Sequence, residues 1–159
     1  MRHFPLFAPT AVPAAVLGAV LATVCIAGVV LPGPATADTV VRVTITNVVK
    51  PGGMLLAGAY DSPGTWLGAT TVVSRDVPVA GNVHNGTVVF DMALPPGTYA
   101  LSVFQDMNGN RKLDTNFLGI PTEASGSSND APAKWSAPKF KDAVFTVGNE
   151  PVELRITLK

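Results

Sequence analysis

The chain of 159 residues has one cysteine, Cys25, and two histidines, His3 and His84. Cys25 falls inside an apolar run, so no thiol is left for the residues beyond it. That excludes a disulfide framework and a thiol nucleophile from the body of the protein. A lone His84 beside Asn85-Gly86 reads as a solvated turn residue, and it leaves Ser125, Ser127 and Ser128 without the base that a triad requires. Charge is scarce as well: 14% of residues are charged, eleven of each sign, with no basic run. A near-neutral surface of this kind excludes nucleic acid as a partner and excludes attachment to a membrane by charge alone. After residue 37 there is no stretch of helical apolar period, no heptad and no internal repeat, so bundles and solenoids are excluded too.

What is present begins with a targeting pattern. Arg2 and His3 form a short basic start, Ala11 to Leu31 is apolar, and Ala35-Thr36-Ala37 has the small residues of a cleavage site. This predicts a signal peptide over residues 1–37 and a periplasmic or secreted protein. The run also approaches the ~20 residues that span a bilayer, so a retained anchor is the alternative. Pro13 and the Ala-Thr-Ala exit favour cleavage. Residues 38–159 then form one domain of about 120 residues, long enough for a core of its own. Nothing implies an integral membrane partner.

The domain reads as strands. Val41, Val43 and Ile45 alternate with polar residues, and so do Val88, Phe90 and Met92, then Tyr99, Leu101 and Val103. Met54 to Tyr60 is apolar on both faces, while Ala69 to Val73 and Val77 to Val83 are weaker, with Pro78 marking an edge or bulge. Asn85-Gly86 predicts a two-residue hairpin turn. Ala143, Phe145 and Val147 lead through Gly148-Asn149 to the cleanest alternation, Val152 to Leu158. About seven strands joined by short turns predict an all-β fold, a single antiparallel β-sandwich of transthyretin-like or immunoglobulin-like type.

One connection is too long for this pattern. After the strand Pro95–Phe104, no alternation resumes until Ala143, which leaves a long loop over residues 106–141. Structureless loops beyond ~12–15 residues are uncommon in compact domains, so something must order this one. Asp106, Asn108, Asn110 and Asp114 stand at positions 1, 3, 5 and 9 of a calcium loop, with Lys112 placed to offer its carbonyl at position 7. A hard cation takes six to eight oxygens, and alternate positions supply them as a short loop wraps the ion. Two features differ from a helix-loop-helix hand: Arg111 stands where glycine makes the sharp turn, and Phe117 stands where a bidentate glutamate belongs. Glu123 is the candidate for the missing carboxylate. A site with so few carboxylates, next to Arg111 and Lys112, predicts weak calcium binding, on the order of 10⁻⁴ to 10⁻³ M. The bland alternative is a plain turn at Asn108-Gly109.

The residues from Leu94-Pro95-Pro96-Gly97-Thr98-Tyr99 through Asp106-Met107-Asn108-Gly109-Asn110 to Thr122-Glu123, with Ser128-Asn129 and Phe140-Lys141-Asp142-Ala143, resemble domain-of-unknown-function family 2141. The likeness is densest from Leu94 to Val147. It implies an exported bacterial β-sandwich without an assigned activity, and it supplies no catalytic residues. The chain departs from the family pattern at Arg111, usually a glycine, and at Ser125 and Ser127, where aromatic residues are expected.

Two further roles stay open at this stage. Trp66 and Trp135 lie in loop-like stretches, where tryptophan either stacks on a sugar or peptide ligand or folds back over the core. Asp114 and Glu123 have the chemistry of a glycosidase pair, which would make a small hydrolase. Oxygen-rich neighbours favour ligation for these two carboxyl groups, and a non-catalytic module is the expectation.

Overall fold

The computed structural model describes residues 37–133 and 136–159. The expected signal peptide, but for Ala37, and Trp135 lie outside the described residues. The described residues form one compact unit that holds the described strands and the core.

The fold is all-β. Among the described residues eight strands run as β1 (Thr39–Thr46), β2 (Met54–Tyr60), β3 (Val73–Pro78), β4 (Val88–Leu94), β5 (Gly97–Asp106), β6 (Ser125–Ser127), β7 (Val144–Val147) and β8 (Val152–Thr157). A one-turn helix, α1 (Phe140–Ala143), precedes β7. Among the described residues no helix is long and apolar enough to cross a membrane. One sheet has the order β4-β1-β8; the other has β3-β2-β5-β6, with β7 also on β5. Alternation decides the faces: in β1, Val41, Val43 and Ile45 are fully buried while Val40 and Arg42 are exposed. The inward residues of both sheets, among them Ile45, Leu55, Phe90, Leu101 and Ile156, belong to a single apolar cluster. Each such side chain stabilises the fold by roughly 1.5–3 kcal/mol relative to exposure.

β5 is the longest strand because it serves three neighbours. β2 pairs along Ala100–Asp106 on one edge. On the other edge β7 pairs with Gly97–Ala100 and β6 with Ser102–Phe104, which leaves Leu101 between them. The Ser128 hydroxyl fills that gap: it accepts the Leu101 N–H at 2.9 Å and donates to the Ala143 carbonyl. Each backbone group along the edge of a buried strand needs such a partner.

The structure corrects four expectations. The fold is not wholly antiparallel, since β1 and β8 run parallel. Alternation is the same in either direction, and only a long crossover, here more than a hundred residues, permits the parallel choice. The weak stretches at 69–83 yield one strand, β3, rather than two. Val79 to Val83 forms a turn instead, with Gly81 at φ +81° and the Asn82 side chain bonded to the Pro78 carbonyl. Among the described residues the strands number eight where about seven were predicted, because β6 lies inside the connection predicted to be one loop over 106–141. The open loop is therefore only the part before Ala124; its second half holds β6, a 3-10 turn at Ser128–Asp130 and α1. The hairpin at Asn85-Gly86 stands as predicted, with φ +51° and +71° and paired bonds between His84 and Thr87.

Candidate functional site

β5 ends at Asp106, whose side chain is 3% exposed at the mouth of the loop. Its Oδ1 accepts the Gly109 N–H and its Oδ2 the Arg111 N–H, each at 2.8 Å. Burial pushes the Asp106 carboxyl upward, but the N–H groups of Arg111, Gly109, Asn108 and Asn110 outweigh it and hold the group below its ordinary value. Two residues on, Asn108 Oδ1 accepts the Asn110 N–H at 3.0 Å, and Asn110 Oδ1 accepts the Lys112 N–H at 2.8 Å. Each is an Asx turn, the local bond that asparagine offers in place of regular structure. Asn108 and Asn110 therefore each turn the chain through a local bond.

Asp114 closes the coil. Its Oδ2 accepts from Asn108 Nδ2 at 2.7 Å and its Oδ1 from Asn110 Nδ2 at 2.9 Å. Four of the sequence-predicted ligands are thus tied into one network, and Lys112 joins it through its backbone N–H. Glu123 is brought in as well, although its carboxyl group is engaged elsewhere: Oε1 accepts the Met107 N–H at 2.8 Å and Oε2 the Asp114 N–H at 3.1 Å. At 6% exposure it brackets both ends of the coil from inside. Among the described residues no three acidic, histidine or cysteine side chains gather as a metal cluster, so a cation here would need asparagine and carbonyl oxygens beside the carboxylates. Asp114 draws two side-chain N–H groups onto its oxygens, while the Asn108 and Asn110 oxygens accept backbone N–H groups.

Arg111 shows why glycine is usual at this turn, since it sits at φ +61°. Its guanidinium reaches Asp76 of β3 at 2.8 Å, which ties the loop to the sheet edge. The ion pair stands at one end of an open groove of about 320 Å³ on the outer face of the five-stranded sheet, floored by Leu56, Gly58, Ser102 and Phe104.

Trp66 lies apart from the loop network. Its ring meets Tyr60 edge-on at 5.2 Å and Phe140 at 5.9 Å, and its Nε1–H donates to the Pro138 carbonyl at 2.7 Å. With Ala100, Ala131 and Ala143 it closes a second small apolar cluster.

Sequence reasoning missed two polar residues that fix the surroundings. One is Ser128, whose gap-filling bond depends on a pairing that no local pattern signals. The other is Gln105, 1% exposed, whose Nε2 donates to the carbonyls of Lys50 and Gly52 and pins the first turn to the loop. The signal for Gln105 was a polar residue where the alternation of β5 calls for a buried one. Gly53 belongs to the same corner: it has φ +74°, and a Cβ there would stand 2.3 Å from the Asp106 carbonyl oxygen.

No curated protein and no solved structure matches the chain. Residues 43–155 match a family described as an uncharacterized protein conserved in bacteria, a span that covers β2 to β7 entire and the loop network after β5. The chain belongs to that family, domain-of-unknown-function family 2141.

Proposed function

We propose that this protein is an exported, non-catalytic β-sandwich module whose loop after β5 is ordered by a structural calcium ion. The sandwich reading is supported by one apolar cluster that draws its members from both sheets. The ion reading is carried by the Asp114 carboxylate, which gathers the side chains of positions 3 and 5 onto its two oxygens. Asp106, Asn108, Asn110, the Lys112 carbonyl and Asp114 would hold the ion, with Glu123 supporting the backbone from behind or completing the set. The ion would supply charge neutralisation and order. A non-catalytic role is supported by the engagement of Asp114 and Glu123, whose four oxygens all accept loop N–H groups.

The test is thermal unfolding of residues 38–159 in calcium, in magnesium at equal ionic strength, and in chelator. At 10 mM, roughly ten times a dissociation constant of 10⁻³ M, calcium adds about 1.4 kcal/mol and raises the midpoint by roughly 4 °C. Asp114→Ala should abolish the rise. An unchanged midpoint in calcium, or a rise that survives Asp114→Ala, overturns the ion reading.

A further inference from the structure

Beyond the ion network the loop continues into an exposed apolar tip that the proposed function does not use. Phe117 is 94% exposed, Leu118 68% and Ile120 55%. Thr115 and Pro121 form a bridge at the base of this tip. Together the three side chains expose on the order of 400 Å², a size at which an apolar patch marks an interaction site. We propose that this tip inserts into the surface of a lipid bilayer and anchors the domain there as a peripheral protein.

Three observations choose a bilayer over a protein partner. The first is chemical: residues 115–122, Thr-Asn-Phe-Leu-Gly-Ile-Pro-Thr, carry no ionisable group, so insertion takes no charge out of water. The second is the backbone. The N–H of Asn116 bonds to the Ile120 carbonyl, that of Gly119 to the Asn116 carbonyl, and that of Thr122 to the Asp114 carbonyl. Asn116 Oδ1 accepts the N–H groups of Leu118 at 2.9 Å and Ile120 at 3.0 Å, while Pro121 has no N–H to satisfy. Five of the six N–H groups from Asn116 to Thr122 are thus satisfied within the loop, all but that of Phe117, and this suits a segment that enters the acyl boundary, where lipid offers no partners. A protein interface makes no such demand, since a partner can supply donors and acceptors. The third is size: the patch is about half of the ~800 Å² per partner that a stable protein interface buries.

This mode of attachment is consistent with the near-neutral composition, which excludes attachment by charge alone but not apolar insertion. Lys112, exposed and without an ion pair among the described residues, stands near the base and suits an anionic headgroup. The Asn116 bonds hold the tip in shape before it meets lipid, so little ordering cost opposes binding. The inference does not rest on the calcium ion.

The experiment is sedimentation of residues 38–159, the compact unit without the apolar 11–31 run, with vesicles of phosphatidylcholine alone or with 30% phosphatidylglycerol. Wild type should partition onto both, more strongly onto the second. Phe117→Ser combined with Leu118→Ser should lower the partition coefficient at least tenfold with an unchanged thermal midpoint. Phe117→Trp should retain binding, and its added fluorescence, measured against wild type, should shift to the blue with vesicles and be quenched by brominated acyl chains. Absence of wild-type partitioning, or partitioning that Phe117→Ser with Leu118→Ser leaves intact, overturns the inference. Partitioning that persists in chelator supports it whether or not the ion reading holds.

Discussion

The connection between β5 and β7 is built in two halves that solve one problem differently. From Met107 to Glu123 the backbone N–H groups are satisfied chiefly by side-chain oxygens of Asp106, Asn108, Asn110, Asn116 and Glu123. From Ala124 to Ala143 main-chain partners take over. β6 pairs with β5, Ser125 and Lys159 exchange both of their backbone bonds, and among the described residues only Ser128, Asn129 and Asp130 contribute through side chains. The first half can wander from the sheets because it carries its own acceptors. The second half stays against them because it borrows theirs. A backbone held by carboxyl groups also answers to protons and cations, whereas one held by carbonyls does not.

The largest effect that separates the halves should come from Glu123→Ala. It leaves the Met107 and Asp114 N–H groups without their acceptors in a partly buried place, which costs about 3 kcal/mol or more by chemical denaturation. Glu123→Gln keeps one good acceptor and should recover about half of that loss. In the second half, Ser128→Ala removes the bonds to Leu101 and Ala143 in a fully buried gap, and a loss of about 2 kcal/mol is expected. The Ser128→Ala loss should be the same at pH 7 and pH 4, since no ionisable group is involved. A loss that varies with pH would break the contrast.

A smaller effect sharpens it. The Asp106 carboxyl is held below its ordinary value in the folded state, so its contribution is complete above the unfolded value of about 4. It is lost as the pH falls from there through the lower folded value. Stability measured downward from pH 5 should decline, and Asp106→Asn should flatten that decline. An equally steep decline in Asp106→Asn would assign the acid sensitivity elsewhere, with Asp91, paired to Arg42, the next candidate because its carboxyl is also held low.

The strands were legible where one face met the core and the other met water, as at Val41-Arg42-Val43-Thr44-Ile45, because burial writes a period of two into the residues. β6 was not legible, because Ser125-Gly126-Ser127 is selected by closeness rather than by apolarity: a Cβ on Gly126 would stand 2.7 Å from the Ile156 side chain and 2.9 Å from the Thr157 carbonyl oxygen. The parallel partner of β1 was hidden for a different reason, since pairing direction leaves no trace in either strand. In the loop, the two-residue spacing of Asn108 and Asn110 left a visible trace because each forms an Asx turn to the second residue on. The reach of Glu123 back to Met107 left none, because sixteen residues separate them and only the folded bridge at Thr115 and Pro121 brings them together. For Trp66, composition left two roles open, and Phe140 and Pro138, over seventy residues away, supply the packing that decides where its ring lies.

The parallel pairing of β1 with β8 also governs when this chain can fold. β1 is the middle strand of its sheet, and one of its two neighbours is made more than a hundred residues later. Until β8 arrives, β1 presents a bare edge of Val, Thr and Ile residues, a template for pairing with another chain. Contacts across so great a sequence separation place the domain among the slow folders, on the scale of milliseconds to seconds. Closure of the core is therefore a late event, and a chain that stops short of Val152 keeps an open, sticky sheet.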